Sequence, residues 1–276
     1  MELSNRLKAV AGLVTKGNVV CDVGCDHGYV SIYLIQQKIS PRVLAMDVRK
    51  GPLDGAREHI RRSGLEDRIA VRLSDGVEKL QKNEADTLLL AGMGGRLMAE
   101  ILTRGEEKIL DMKECILQPQ SEIPAFRRYL REKGYQVTAE DMILEEGKYY
   151  PMMRVIPPRA AQTDAGAITD TDTDVWMAPG AQTNTDTQTD TDTQPESDAR
   201  AASDQTLLYD RYGEGLLKAK HPVLEQYLKD ERKKLLKLEE TLQQKAAVSK
   251  KGSDRLPQIR EELRMNGQAL ESFGQK

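Results

Sequence analysis

The sequence predicts an α/β protein: a doubly wound, mostly parallel sheet followed by a separate helical part. Three observations carry this. Short apolar runs alternate with amphipathic ones over residues 1–158, a Thr/Asp-rich run almost without large apolar side chains fills 159–205, and leucines at helical spacing return over 206–276.

Taken in order, Leu3, Leu7, Val10 and Val14 mark the apolar face of an N-terminal amphipathic helix. Five strand-like runs follow at Asn18–Val23, Arg42–Asp47, Arg68–Leu73, Ala85–Ala91 and Glu114–Gln118. Tyr29–Gln37, Gly51–Ser63, Arg96–Gly105 and Ile123–Lys133 have the lengths and apolar spacing of crossover helices, and Gly64 and Gly134 stand where C-terminal caps belong. Tyr135–Leu144 and Tyr149–Ile156, separated by Glu145 to Lys148, read as a hairpin. Five parallel strands finished by a hairpin is the plan of a class I (Rossmann-like, seven-strand) methyltransferase domain.

Residues 159–205 cannot bury enough apolar surface to offset the entropy of ordering and are expected to be disordered, with Trp176 either a short docking element or incidental. Beyond them, Leu224, Leu228, Leu235, Leu238 and Leu242 share one helical face. Leu256, Ile259, Leu263, Asn266, Leu270 and Phe273 repeat at alternating steps of three and four. Gly252, Ser253 and Pro257 mark a turn and a new helix start, so 206–276 is expected to form a C-terminal helical coiled-coil domain of two long antiparallel helices.

Composition bounds the setting. With 276 residues, 39% of them hydrophobic, the chain can build a real core, and no apolar run approaches the roughly 18–20 residues of a membrane span. The N-terminus lacks a signal-peptide pattern, which makes a cytoplasmic location the expectation. Three cysteines in no metal-ligand spacing are expected to be reduced packing residues, and no metal is expected. The net charge of −3 divides into +1 for 1–158, −8 for 159–205 and +4 for 206–276, so an overall acidic balance does not argue against a polyanionic partner.

In an open parallel sheet, ligands sit beyond the carboxyl ends of the strands. After the first strand, Gly24 and Gly28 allow a tight turn, but Asp26 occupies the place where a dinucleotide site needs a phosphate-facing glycine. A carboxylate repels phosphate and suits a ligand with an amino cation. Asp47 ends the second strand, where it can accept hydrogen bonds from ribose hydroxyls, and Ser74-Asp75-Gly76 follows the third, where a carboxylate can accept from an adenine amino group. Each acid alone is equally readable as a helix cap or turn residue; three at successive strand ends match S-adenosyl-L-methionine, which has an ammonium, a ribose diol and no phosphate. The Ala91-Gly92-Met93-Gly94-Gly95 loop has no aromatic platform, which disfavours an N6-adenine or amide acceptor, although it is also readable as a plain helix-capping turn.

Seven segments, SNRL (4–7), DVGCDHGY (22–29), AMDV (45–48), SDG (74–76), AGMGG (91–95), ILQPQ (116–120) and YDRYGEGLL (209–217), together resemble the TrmK-type bacterial tRNA adenine-22 N1-methyltransferases. The resemblance covers residues 1 to about 156 and 206–276, and the acidic insertion departs from it. It implies S-adenosyl-L-methionine as cofactor, methylation of adenine N1 in tRNA, and a helical domain that helps hold the tRNA.

On this reading the cofactor-binding set is Asp22, Gly24, Asp26, Gly28, Asp47, Val48, Asp75, Gly76, Gly92 and Met93. Asp26 and His27 are the candidates to meet the cationic product, with Gln118 as a base-edge partner. Arg6, Arg96, Lys229, Arg232, Lys233, Lys234 and Lys237 are candidate RNA contacts, though basic runs are commonly plain solvated helix faces. His59 and His221 are expected to be surface or packing residues, and the protein is expected to be a monomer. Two alternatives stay open: a class I methyltransferase with another acceptor, and a non-catalytic RNA-binding protein.

Overall fold

The computed structural model describes residues 3–158, 194–246 and 255–274. The first part begins with α1 (Asn5–Gly12), whose N-cap Ser4 accepts a hydrogen bond from the Leu7 N–H. It continues through β1 (Val20–Val23), α2 (Tyr29–Gln36), β2 (Val43–Asp47), α3 (Lys50–Arg62), β3 (Ile69–Leu73), β4 (Thr87–Met93), α4 (Gly95–Arg104), α5 (Glu106–Ile109), β5 (Glu114–Pro119), α6 (Ile123–Glu132), β6 (Gln136–Glu145) and β7 (Lys148–Ile156). The seven strands lie in the order β3-β2-β1-β4-β5-β7-β6, parallel except for β7, which is antiparallel to both neighbours. The expected plan is thus present, with element ends within a few residues of those read from the sequence.

The period-2 alternation of the central strands feeds two cores, one on each sheet face. Cys21, Val23, Leu44, Met46, Leu88 and Leu90 face α4 and α6, whereas Val20, Val43, Ala45 and Leu89 face α1, α2 and α3. All four β1 residues are buried. The chain crosses to one face from β1 to β3 and to the other from β4 onward, so a crevice opens between the carboxyl ends of β1 and β4.

The C-terminal part is α7 (Gln194–Tyr212), α8 (Glu214–Lys218), α9 (Pro222–Ala246) and α10 (Leu256–Gly274). The expected disorder over 159–205 is therefore corrected at its end, since 194–205 belong to α7; residues 159–193, Trp176 and the turn at Gly252 and Ser253 lie outside the described residues. The expected antiparallel pair is α9 and α10, joined by Arg260–Glu239 and by Asn266 donating to the Leu228 carbonyl and Glu231. Its seam is narrower than the heptad reading: Leu224, Leu228, Leu235, Ile259, Asn266 and Ala269 are buried, while Leu238, Leu263, Leu270 and Phe273 are half-buried. Ala269 displaces Leu270 from the centre because a straight helix drifts from a strict seven-residue repeat.

These helices dock on the β6–β7 hairpin through Met142, Leu208, Tyr212, Leu216 and Leu224. The junction between α7 and α8 is held by a buried ion pair. Arg127 Nη2 donates to Glu140 Oε1 at 2.7 Å, Arg127 Nη1 donates to the Arg211 carbonyl at the end of α7, and Glu140 Oε2 accepts the Gly215 N–H at the start of α8. A cation thus meets one helix's C-terminus and an anion the next helix's N-terminus, complementing both dipoles. Gly213 has φ +92 and no room for a Cβ, which would lie 2.6 Å from Glu140 Oε1.

Candidate functional site

The crevice holds a cavity of about 490 Å³ lined by the ends of β1, β2 and β4 and the loops after β1 and β2, by α1, α2 and Leu97 of α4, and by Gln120 beyond β5. Of the expected cofactor residues, Asp22, Gly24, Asp26, Asp47, Val48, Gly92 and Met93 line it. Gly24 is at φ +73, where an added Cβ would lie 2.3 Å from Met93 Cε; its lack of a side chain lets the β1 and β4 loops meet.

Asp22 is the deepest acid, 3% exposed, with Oδ2 accepting from Ser31 Oγ at 2.6 Å. Burial pushes its carboxyl up to about 6, reinforced by the nearby Asp47 carboxylate and opposed by the Ser31 hydrogen bond. Asp47, also buried, accepts the Arg49 N–H at 2.9 Å and the Asp26 N–H at 3.3 Å, so it ties the β1 and β2 loops together. Asp26 stands in the left-handed region at φ 50 with its side chain 60% exposed. Cys25, on the cavity wall, has its thiol pushed up by burial and by the neighbouring acids.

Five expected residues are not brought to the cavity. Asp75 pairs with Arg104 of α4 at 2.9 Å, which lowers its carboxyl, and Gly76 turns against Ile101, because the turn after β3 closes onto α4. Gly28, at φ +75, caps α2 where an added Cβ would come 3.2 Å from Ala56 Cβ, so it serves helix packing. His27 lies over Gly55 and between the rings of Tyr29 and His59, each 5.8 Å away. Its Nε2 is 3.8 Å from Asp26 Oδ1, which leaves it beside the site.

Gln118 is the fifth, fully buried and committed to the fold. A bulge at Gly92 interrupts the β4–β5 ladder, and Gln118 Oε1 accepts the Gly92 N–H at 3.1 Å in place of a strand partner. The same oxygen accepts from Arg6 Nη1 at 2.8 Å. Arg6, stacked over Tyr150 at 5.2 Å, lines the cavity.

Sequence reasoning missed Tyr29, Arg49, Leu97 and Gln120, all on the cavity wall, and Ser31 behind Asp22. Arg49 had a readable signal, lying two residues beyond a strand-end acid; Ser31 did not, since helical serines are common. His59 and His221 are packing residues: His59 stacks on Tyr29 at 4.8 Å, and His221 Nε2 lies 3.0 Å from Asp141 Oδ1.

The other basic candidates are apart from the cavity. Arg96 is 80% exposed and pairs with Glu100; Lys229 pairs with Glu225 and Lys233 with Asp230, while Arg232, Lys234 and Lys237 are exposed on α9. Among the described residues no cluster of three or more His, Cys, Asp or Glu side chains could hold a metal ion, and no helix is long and apolar enough to cross a membrane.

The profile of the family described as "Methyltransferase domain" matches residues 3–153. The curated tRNA (adenine(22)-N(1))-methyltransferase of Bacillus subtilis (strain 168) is 35% identical over 153 residues, 55% of this chain and 64% of that protein, so the match spans somewhat less than two thirds of the relative. The crystal structure of the B. subtilis m1A22 tRNA methyltransferase TrmK superposes with a TM-score of 0.71 at 26% identity, covering 98% of this chain and 99% of that one. A Streptococcus pneumoniae protein solved in complex with S-adenosyl-L-methionine gives a TM-score of 0.71 at 25% identity over 98% of this chain and 100% of that one.

Proposed function

This chain belongs to the methyltransferase-domain family, and from that premise we propose that it methylates N1 of adenine 22 in tRNA with S-adenosyl-L-methionine as donor. The observation that carries the reading is the acid-lined cavity at the β1–β4 crevice: Asp22, Asp26 and Asp47 converge on it. Three carboxylates exclude a pyrophosphate and suit a cationic, phosphate-free nucleoside.

The residues fit that cofactor. Asp22, held by Ser31, faces the place of an ammonium; Asp47, with both oxygens already oriented by loop N–H groups, can accept from a ribose diol; exposed Val48 offers an apolar surface to a purine. When bound, S-adenosyl-L-methionine supplies a methyl group on an electrophilic sulfonium. Adenine N1 has its own lone pair, so the chain need only align it and stabilise the cation that develops. Asp26, exposed at the mouth, is the acid placed to do so. A tRNA substrate, the α9 lysines as phosphate contacts and cytoplasmic residence belong to the same proposal.

Incubating the purified protein with labelled S-adenosyl-L-methionine and unmodified bacterial tRNA, then mapping the product, tests it. Label at N1 of adenine 22 is expected. Label on another atom would replace the acceptor, and no label in tRNA would sink the reading.

A further inference from the structure

Methylation at N1 restricts how the acceptor base can be held, because a protein group that binds N1 blocks the reaction. Away from N1, the edge that carries a donor as well as an acceptor is the one where adenine presents N7 and the N6 amine. A carboxamide matches that pair in a bidentate way, donating to N7 and accepting from N6.

ILQPQ contains two glutamines, and the structure gives them opposite fates. The Gln118 amide is spent on Gly92, Arg6 and Pro119. Gln120, two residues on, is exposed on the cavity wall, and its backbone is anchored by donating to the Met93 carbonyl at 2.8 Å. Its Nε2 lies 3.6 Å from where a Cβ on Gly92 would stand, and Arg6 Nη1 lies 3.8 Å from the same point. The bare Gly92 bulge is therefore the gap over which a free amide reaches into the cavity, beside the Met93 that meets the Gly24 turn.

We propose that Gln120 is the specificity-determining residue of the acceptor pocket, reading N6 and N7 of the target adenine while leaving N1 open. This rests on the N1-methylation reading above. Guanine, with acceptors at both O6 and N7, would face the amide oxygen with a lone pair and be rejected.

The test compares tRNA carrying adenine or 7-deazaadenine at the target position, with the wild-type protein, Gln120→Ala and Gln120→Glu. For the wild type, 7-deaza substitution is expected to lower kcat/KM roughly tenfold to a hundredfold. Gln120→Ala should lose a similar factor on adenine and nothing further on 7-deazaadenine, with the Kd for S-adenosyl-L-methionine unchanged. Gln120→Glu should prefer 7-deazaadenine over adenine, because its carboxylate repels the N7 lone pair that the analogue lacks; a merely structural role would not produce that inversion. Wild-type rates in Gln120→Ala, an undiminished 7-deaza penalty in it, or an equally weakened cofactor Kd would each overturn the assignment. Failure of the wild type to methylate N1 of any adenine would instead remove the functional reading on which it stands.

Discussion

Asp22 shows most directly how burial sets the chemistry of the site. Its carboxyl is raised from 3.8 to about 6, so burial disfavours its ionised form in the empty folded protein, which loses stability from this group as pH rises from about 4 to 6, amounting to roughly 3 kcal/mol. A ligand ammonium favours the ionised form. Affinity for S-adenosyl-L-methionine is therefore expected to be flat above pH 6 and to fall as pH drops below it, by up to about tenfold per unit, with proton release on binding seen by calorimetry. Asp22→Asn should bind more weakly and lose this pH dependence; a retained dependence would move the titration to another group. At this scale the strand-end rule made Asp26, Asp47 and Gly24 legible, because parallel-sheet geometry delivers those positions to the crevice whatever the surroundings, whereas Asp22, inside β1, was named only through the family resemblance. It failed for Asp75, which answers to Arg104 on a helix whose facing the sequence does not disclose. It also chose Gln118, inside β5, over Gln120 just beyond it, because only the bulge at Gly92 shows that the first amide is drawn into the fold.

At the scale of elements, the sheet was readable because its central strands are short, mostly apolar runs, and because glycine follows α3, α4 and α6. The docking of the C-terminal helices was not, since it depends on Arg127 and Glu140, which read in sequence as an ordinary helical arginine and an ordinary strand acid. Their side chains are only 6% and 2% exposed, so removing one partner leaves a buried charge. Glu140→Ala is expected to destabilise the fold by about 3–5 kcal/mol, also freeing the Gly215 N–H, while the double replacement Arg127→Met with Glu140→Leu should cost less than the single one. Calorimetric melting of both variants checks this, and equal or larger loss in the double variant would show that the pair acts independently of its charge.

For the whole molecule, the sheet supplies the cavity and the appended helices present a separate basic face on α9. If that face meets phosphates, Lys233→Ala combined with Lys234→Ala should weaken tRNA binding and flatten its salt dependence by about two units of log–log slope at most, leaving cofactor affinity untouched. Unchanged salt dependence in a filter-binding titration would place the phosphate contacts elsewhere. The charge segregation that pointed to such a face was visible in composition, whereas the narrowed seam was not, because it follows from the drift of a straight helix against a seven-residue repeat. The Arg127–Glu140 pair has one more effect, on the order of synthesis. Both residues lie N-terminal to position 158, and α7 begins only at Gln194. At about 5–20 residues per second, a ribosome takes on the order of seconds to make the intervening chain. During that interval the outer hairpin face around Met142 waits without its cover, and it waits beside a cation and an anion that already satisfy each other, which keeps the nascent surface from being a purely apolar invitation to aggregate.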